Sequence, residues 1–214
     1  KSWNRVAHFF DLPDYLTFRA TGSTGRSLCS LSCKWTYDKN SESGSGWDAG
    51  LLRAIGLEDL SKDAFALIGR SDSVHPMGSP VGEGLSEDSA KEMGLLKGTP
   101  VGVSIIDAHA GGIGMLGFKE FTKKGIEAPI DLNKRLALIG GTSSCHMAVS
   151  EEARFIEGVW GPYDSAMIPD LWLNEGGQSA TGSLVDHVIM THGAYPEAKK
   201  GASLMGLSIY EYLN

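Results

Sequence analysis

The stretch VGVSIIDAHAGGIGMLG, residues 101–117, decides how the rest of the chain is read. Its first six residues are mostly apolar, partly β-branched and few, which predicts a buried strand over 101–106. That strand would end at a carboxylate, Asp107. Small residues follow at once: Ala108, Ala110, Gly111, Gly112 and Gly114. Helix propensity argues against a helix there, although alternating small and apolar residues could pack one closely on a sheet. A carboxylate at the C-terminal end of a strand, opening into glycines, is a common place for chemistry in open α/β sheets. The glycines would let a ligand or a second backbone approach. The same Asp107 could equally cap the next helix.

Upstream, the pattern is helix-rich. Trp3, Val6, Ala7 and Phe10 have helical spacing, and Asp11-Leu12-Pro13 predicts a helix start with Asp11 as cap and a stop by Gly22. Residues 26–36 predict a third helix, with Cys29 and Cys33 one turn apart as small buried hydrophobes. Residues 39–46 read as a polar loop, and 47–55 and 60–68 as short helices. Residues 71–84 read as extended or loop. Ser86 caps a helix to Met93, with Gly94 at its end. Downstream, 119–134 is charged and interrupted by Gly125 and Pro129, as a junction between domains would be. Two short apolar runs then flank GGTSS at 140–144, which predicts a β-hairpin. Residues 151–169 read as irregular to extended, 171–173 as a short strand ending before Glu175, and 179–192 and 196–214 as helices.

The totals bound the class of protein. The chain has 214 residues, enough for one large or two small domains. It is 42% hydrophobic and 21% charged, as soluble globular proteins are. A net charge of −7, with no long basic cluster, argues against a nucleic-acid or anionic-membrane partner. Three cysteines without a CxxC pair speak against a disulfide framework or zinc knuckle, and fit reduced thiols in a cytoplasmic protein. No run is long enough to span a membrane.

Four stretches could carry chemistry. Asp107 could accept a proton from a hydroxyl or hold a metal. The GGTSSC turn could present amides and the hydroxyls of Thr142 and Ser143 to phosphate oxygens, or be a plain turn. It lacks the P-loop pattern. Glu175, in LNEGGQSATG, repeats the strand-end logic of Asp107, or is a helix-terminal charge. Lys34, in CSLSCKWTY, sits between apolar neighbours and could simply snorkel to solvent. His187 and His192 read as helix-face residues, and Asp107-Ala-His109 is too short to define a metal site. These features allow a phosphoryl-handling enzyme and equally a non-catalytic carbohydrate-binding module.

In combination the blocks are far more specific. The order DLPDYLTFRATG, SLCSLSCKWTY, IDAHAGGIG, GGTSSCHM, VWGPY, WLNEGGQSATG closely resembles the FGGY family of carbohydrate kinases, in its ribulokinase-like branch. The resemblance implies an α/β fold of two ribonuclease-H-like (actin/hexokinase-type ATPase) domains, both incomplete here. Residues 1–122 would be the C-terminal part of the first domain and 123–214 the N-terminal part of the second. It implies ATP-dependent phosphorylation of a ketopentose, D-ribulose to D-ribulose 5-phosphate before L-ribulose, xylulose or another polyol. A relative that binds sugar or nucleotide without phosphotransfer is the rival.

By the same resemblance, Asp107 is the general base. Lys34 and Glu175 contact the sugar, and Gly141, Thr142 and Ser143 hold ATP phosphates. Mg²⁺ would be held by ATP and water rather than by a protein cage. The implied partners are a sugar and ATP, and a homodimer is compatible with the family. The family's first phosphate-binding hairpin and its adenosine site have no counterpart in these residues. The 214 residues alone are therefore expected to be inactive, with exposed apolar surface.

Overall fold

Local signals set most of the helices. In the computed structural model, which describes residues 2–117 and 130–214, Asp11 precedes helix α1 (Leu12–Thr21), with a proline in its first turn and Gly22 left-handed at its end. Ser27 caps α2 (Leu28–Lys34), its hydroxyl accepting the Ser30 N–H. Asp48 caps α3 (Ala49–Ala54) in the same way, through the amides of Gly50 and Leu51. The segment expected to be one helix over 60–68 is a kinked turn, α4 (Lys62–Phe65), with Asp63 and Ala64 in left-handed conformation. Ser86 and Gly94 bracket α5 (Glu87–Met93) as the capping pattern predicts.

The run at 101–106 is not a regular strand. It is extended, and joins residues 78–81 by one antiparallel bridge, Gly102 to Pro80, and by backbone bonds such as Gly78 N–H to the Val103 carbonyl. The glycine-rich stretch after it is a ten-residue helix, α6 (Asp107–Leu116). Packing overrides propensity there. A Cβ on Gly112 would lie 2.6 Å from Met167 Sδ and 3.1 Å from Met147 Sδ, so the missing side chain is what lets the helix approach its neighbours.

The hairpin forms where expected, as β3 (Ala137–Gly140) and β4 (Ser144–Ser150). With β5 (Trp160–Asp164) and β6 (Trp172–Gln178) they make a four-stranded sheet in the order β3-β4-β6-β5. A separate two-stranded parallel pair joins β1 (Arg26–Ser27) to β2 (Val74–His75). Strand β6 runs past the predicted end at 173 to Gln178. Glu175 is therefore a mid-strand residue, neither at a strand end nor at a helix terminus. Its backbone is registered opposite Trp160, and an irregularity between Trp160 and Tyr163 accommodates Gly161 and Pro162. Gly161 has φ +99°, and a side chain there would run into the Leu173 carbonyl, so the VWGPY block needs glycine at that point.

The chain divides into two compact units, Lys1–Leu138 with His146–Gly176, and Ile139–Cys145 with Gly177–Asn214. The first has a core of Leu28, Leu31, Tyr37, Trp47, Leu60 and Ile68, with Tyr37 edge-on to Trp47. Leu116, Met147, Met167 and Leu173 are also fully buried in it. The second comprises the hairpin tip and helices α7 (Gly182–Thr191), α8 (Tyr195–Met205) and α9 (Ile209–Leu213), the last closed by a Ser208/Glu211 capping box. The predicted domain boundary at 122/123 lies outside the described residues. No helix among the described residues is long and apolar enough to cross a membrane.

Candidate functional site

Three distant segments converge to place Asp107. Asp14, buried on α1, accepts the Ser27 N–H at 3.0 Å and the Ser104 hydroxyl at 2.8 Å on one oxygen. The Ser27 hydroxyl in turn donates to the Ser104 carbonyl at 2.6 Å. Burial pushes the Asp14 carboxyl up, and the two hydrogen bonds oppose that shift. The same three residues thus tie the start of α2 to the extended run that ends at Asp107.

Asp107 is the first residue of α6, and its side chain is exposed. One oxygen accepts the Ala108 N–H at 2.8 Å. Asp107 is not the cap that its alternative reading proposed, because Ile106 holds the N-cap position; it bonds within the first turn and lines an open cleft. That cleft, about 730 Å³, is lined by Asp11, Pro13, Ser30, Lys34, Ile106 and Asp107 among others. Lys34, the last residue of α2, is exposed at it. The structure thus brings Lys34 and Asp107 to one cavity, from two elements well separated in sequence.

Glu175 is 9% exposed on β6 and is not among the residues lining this cleft. It meets α6 instead, with Oε2 3.9 Å from His109 Nε2. His109 is 2% exposed. The same Nε2 lies 3.5 Å from Cys33 Sγ. Burial pushes the His109 pKa down, Glu175 and Asp107 oppose that shift, and Lys34 adds to it. The hydrogen bond with Cys29, followed by burial, pushes the Cys33 thiol up, which favours its protonated form. Its expected role as a plain hydrophobe is incomplete, because it also touches a polar ring.

Sequence reasoning missed the meeting of His109 with Glu175 and Cys33. The signal was present in helical periodicity: His109, Gly112 and Leu116 are the buried residues of α6, at the i, i+3, i+7 spacing of one face. A low helix propensity over 107–116 hid it.

In the second unit, Gly141, Thr142 and Ser143 form the exposed turn of the β3–β4 hairpin. The Gly141 N–H donates to the Ser143 carbonyl at 2.8 Å, and the Thr142 carbonyl accepts the Thr181 N–H at 3.1 Å, at the start of α7. The hydroxyl-bearing residues Thr142 and Ser143 stand at the solvent side of the turn, an arrangement that suits phosphate oxygens. Among the described residues, no three His, Cys, Asp or Glu gather as a metal cage.

Comparison with known proteins bears on the family and the fold. Residues 136–209 match the family description "FGGY family of carbohydrate kinases, C-terminal domain". An FGGY carbohydrate kinase domain-containing protein of Danio rerio is 54% identical over 99% of this chain and 38% of its own length. A D-ribulokinase of Saccharomyces cerevisiae is 42% identical over 96% of this chain and 31% of its own. The chain thus spans well under half the length of the curated relatives it matches. Among solved structures, a xylulose kinase of Rhodospirillum rubrum superposes with a TM-score of 0.62 at 19% identity, over 93% of this chain and 35% of that one. The likeness establishes the fold, which is that of kinases built on actin/hexokinase-like ATPase domains. With the whole hairpin and helix α7 inside the matched segment, and the Danio rerio relative 54% identical over 99% of this chain, the chain belongs to the FGGY family of carbohydrate kinases.

Proposed function

We propose that the full-length protein transfers the γ-phosphoryl group of ATP to a ketopentose, with D-ribulose as the first candidate. The observation that carries this reading is the exposure of Asp107 and Lys34 on one open cleft, a carboxylate and an ammonium facing space that admits a small sugar. The 42% identity to a D-ribulokinase favours that sugar.

Each residue has a defined part. Lys34 holds sugar hydroxyls at the cleft, and Glu175, which does not line the cleft, is assigned to the sugar by its EGGQS block. Asp107 takes the proton as the hydroxyl oxygen bonds to the γ-phosphorus and the bond from that phosphorus to the bridging oxygen breaks, releasing ADP. The amides and hydroxyls of Gly141, Thr142 and Ser143 receive phosphate oxygens without a bulky cation. Mg²⁺ carried by the nucleotide would offset charge building on those oxygens. Residues 1–122 and 123–214 would belong to the two domains whose approach excludes water from the transfer.

The test is ATP consumption by the full-length protein over D-ribulose, L-ribulose, xylulose and a set of polyols. Sugar-dependent turnover highest with D-ribulose is expected. Turnover with none would remove the kinase reading, and turnover confined to another sugar would remove only the substrate assignment. Asp107→Asn should lower kcat by about 10²- to 10⁴-fold, with sugar affinity little changed. A normal rate in that variant would relieve Asp107 of its role as base.

A further inference from the structure

Between α6 and Glu175 sits one buried imidazole that the transfer step does not use. His109 Nε2 faces two groups, Cys33 Sγ at 3.5 Å and Glu175 Oε2 at 3.9 Å. Its other nitrogen, Nδ1, is buried without a hydrogen-bond partner among the described residues. Those facts select a tautomer. A proton on Nδ1 would bury an N–H with no acceptor and turn a lone pair toward the Glu175 carboxylate. A proton on Nε2 turns an N–H toward the carboxylate and the sulfur, and leaves at Nδ1 only an unused lone pair. The neutral ring with Nε2–H is therefore the resident form, in keeping with its burial.

We propose that His109 is the positioning residue of the sugar site, its Nε2–H holding the Glu175 carboxylate in the orientation that meets the sugar. The inference rests on Glu175 being a sugar ligand. The 3.9 Å separation exceeds a hydrogen bond, and the nearer acceptor is a thiol, a weak one. The N–H is thus able to serve the carboxylate whenever the Glu175 side chain turns slightly toward it. Because His109 lies two residues beyond Asp107 on the same helix, the interaction also ties base and sugar-binding carboxylate to one element. The groups facing the ring are Glu175 from β6, Cys33 and Lys34 from α2, and Asp107 from its own helix.

The experiment uses the full-length protein and five forms: wild type, His109→Leu, His109→Gln, Glu175→Gln and the His109→Leu/Glu175→Gln double variant. D-ribulose binding is read by calorimetry without ATP, and KM for sugar, KM for ATP and kcat by turnover. His109→Leu should weaken sugar binding about tenfold at unchanged KM for ATP. His109→Gln, whose amide N–H reaches the Nε2 position, should recover to within about threefold of wild type. In the Glu175→Gln background the leucine substitution should add little.

Unchanged sugar affinity in a folded His109→Leu protein overturns the proposal, as does equal loss in the leucine and glutamine variants, or full additivity with Glu175→Gln. If His109→Leu does not fold, His109→Gln decides: near-normal affinity supports the proposal, and a loss as large as that of Glu175→Gln overturns it. A wild type that binds sugar without phosphorylating it removes the kinase reading and leaves the calorimetric test intact. A wild type that binds none of the sugars overturns both.

Discussion

His109 should report its surroundings through pH. Its pKa is pushed below the ordinary 6.5, mainly by burial. The unfolded chain takes a proton at this position near 6.5 and the folded chain does not until a lower pH. Stability should therefore be undiminished above about pH 7 and fall as pH drops below about 6.5 toward the depressed folded value. Between about pH 7.5 and about pH 5.5 the wild type should lose more stability than His109→Gln, read from denaturant midpoints. Equal losses would mean that the ring is charged or solvated in the fold. At this scale the sequence singled out Asp107 and Lys34, and the structure has both lining one cleft. Glu175 was placed wrongly as a strand-end residue, because the Gly176-Gly177 pair after it imitates a chain break. The meeting of His109 with Glu175 and Cys33 was missed because a histidine's surroundings depend on which helix face it occupies, and local propensity spoke against the helix itself.

Among elements, α6 separates two kinds of glycine. Gly114 has open space where a side chain would go, whereas Gly112 lies against Met147 and Met167. Gly114→Ala should stabilise by about 0.5–1 kcal/mol through backbone entropy. Gly112→Val should destabilise by about 1–3 kcal/mol through overpacking. Equilibrium denaturation of the two variants checks both signs, and a neutral Gly112→Val would show that the methionines yield freely. The contrast also explains which elements were readable. Helices α1, α2 and α5 carry their stop and start signals within a few residues. The run at 101–106 carries only its own apolarity, and a strand requires a neighbour that no local pattern names. It found one bridge, at Pro80, and stayed extended. Helix α6 formed against its own propensity because the absence of a side chain at Gly112 lets the two methionine sulfurs pack directly on its backbone.

At the scale of the chain, exposed apolar side chains run from Leu12 to Leu213 among the described residues, and the last helices carry several of them. Leu184, Val185 and Val188 on α7 and Leu204 and Met205 on α8 are exposed. The 214-residue chain should therefore bind a hydrophobic dye and self-associate, and Val185→Lys with Val188→Lys should lower the dye signal. A dye-silent, monomeric chain would contradict that surface. The two-domain plan came from motif order alone, and its expected boundary falls outside the described residues. The kinase fold was recognisable because six short blocks occur in one order, not because any block is diagnostic. The hydrogen bonds among Asp14, Ser27 and Ser104 bear on time as well as place. The Asp14–Ser104 bond closes a loop of 90 positions, and long loops close late in folding. A nascent or refolding chain would acquire its helices and much of its buried surface before Asp107 is seated. Refolding followed by fluorescence should thus finish ahead of recovered sugar binding, and Asp14→Ala should accelerate unfolding far more than it slows collapse.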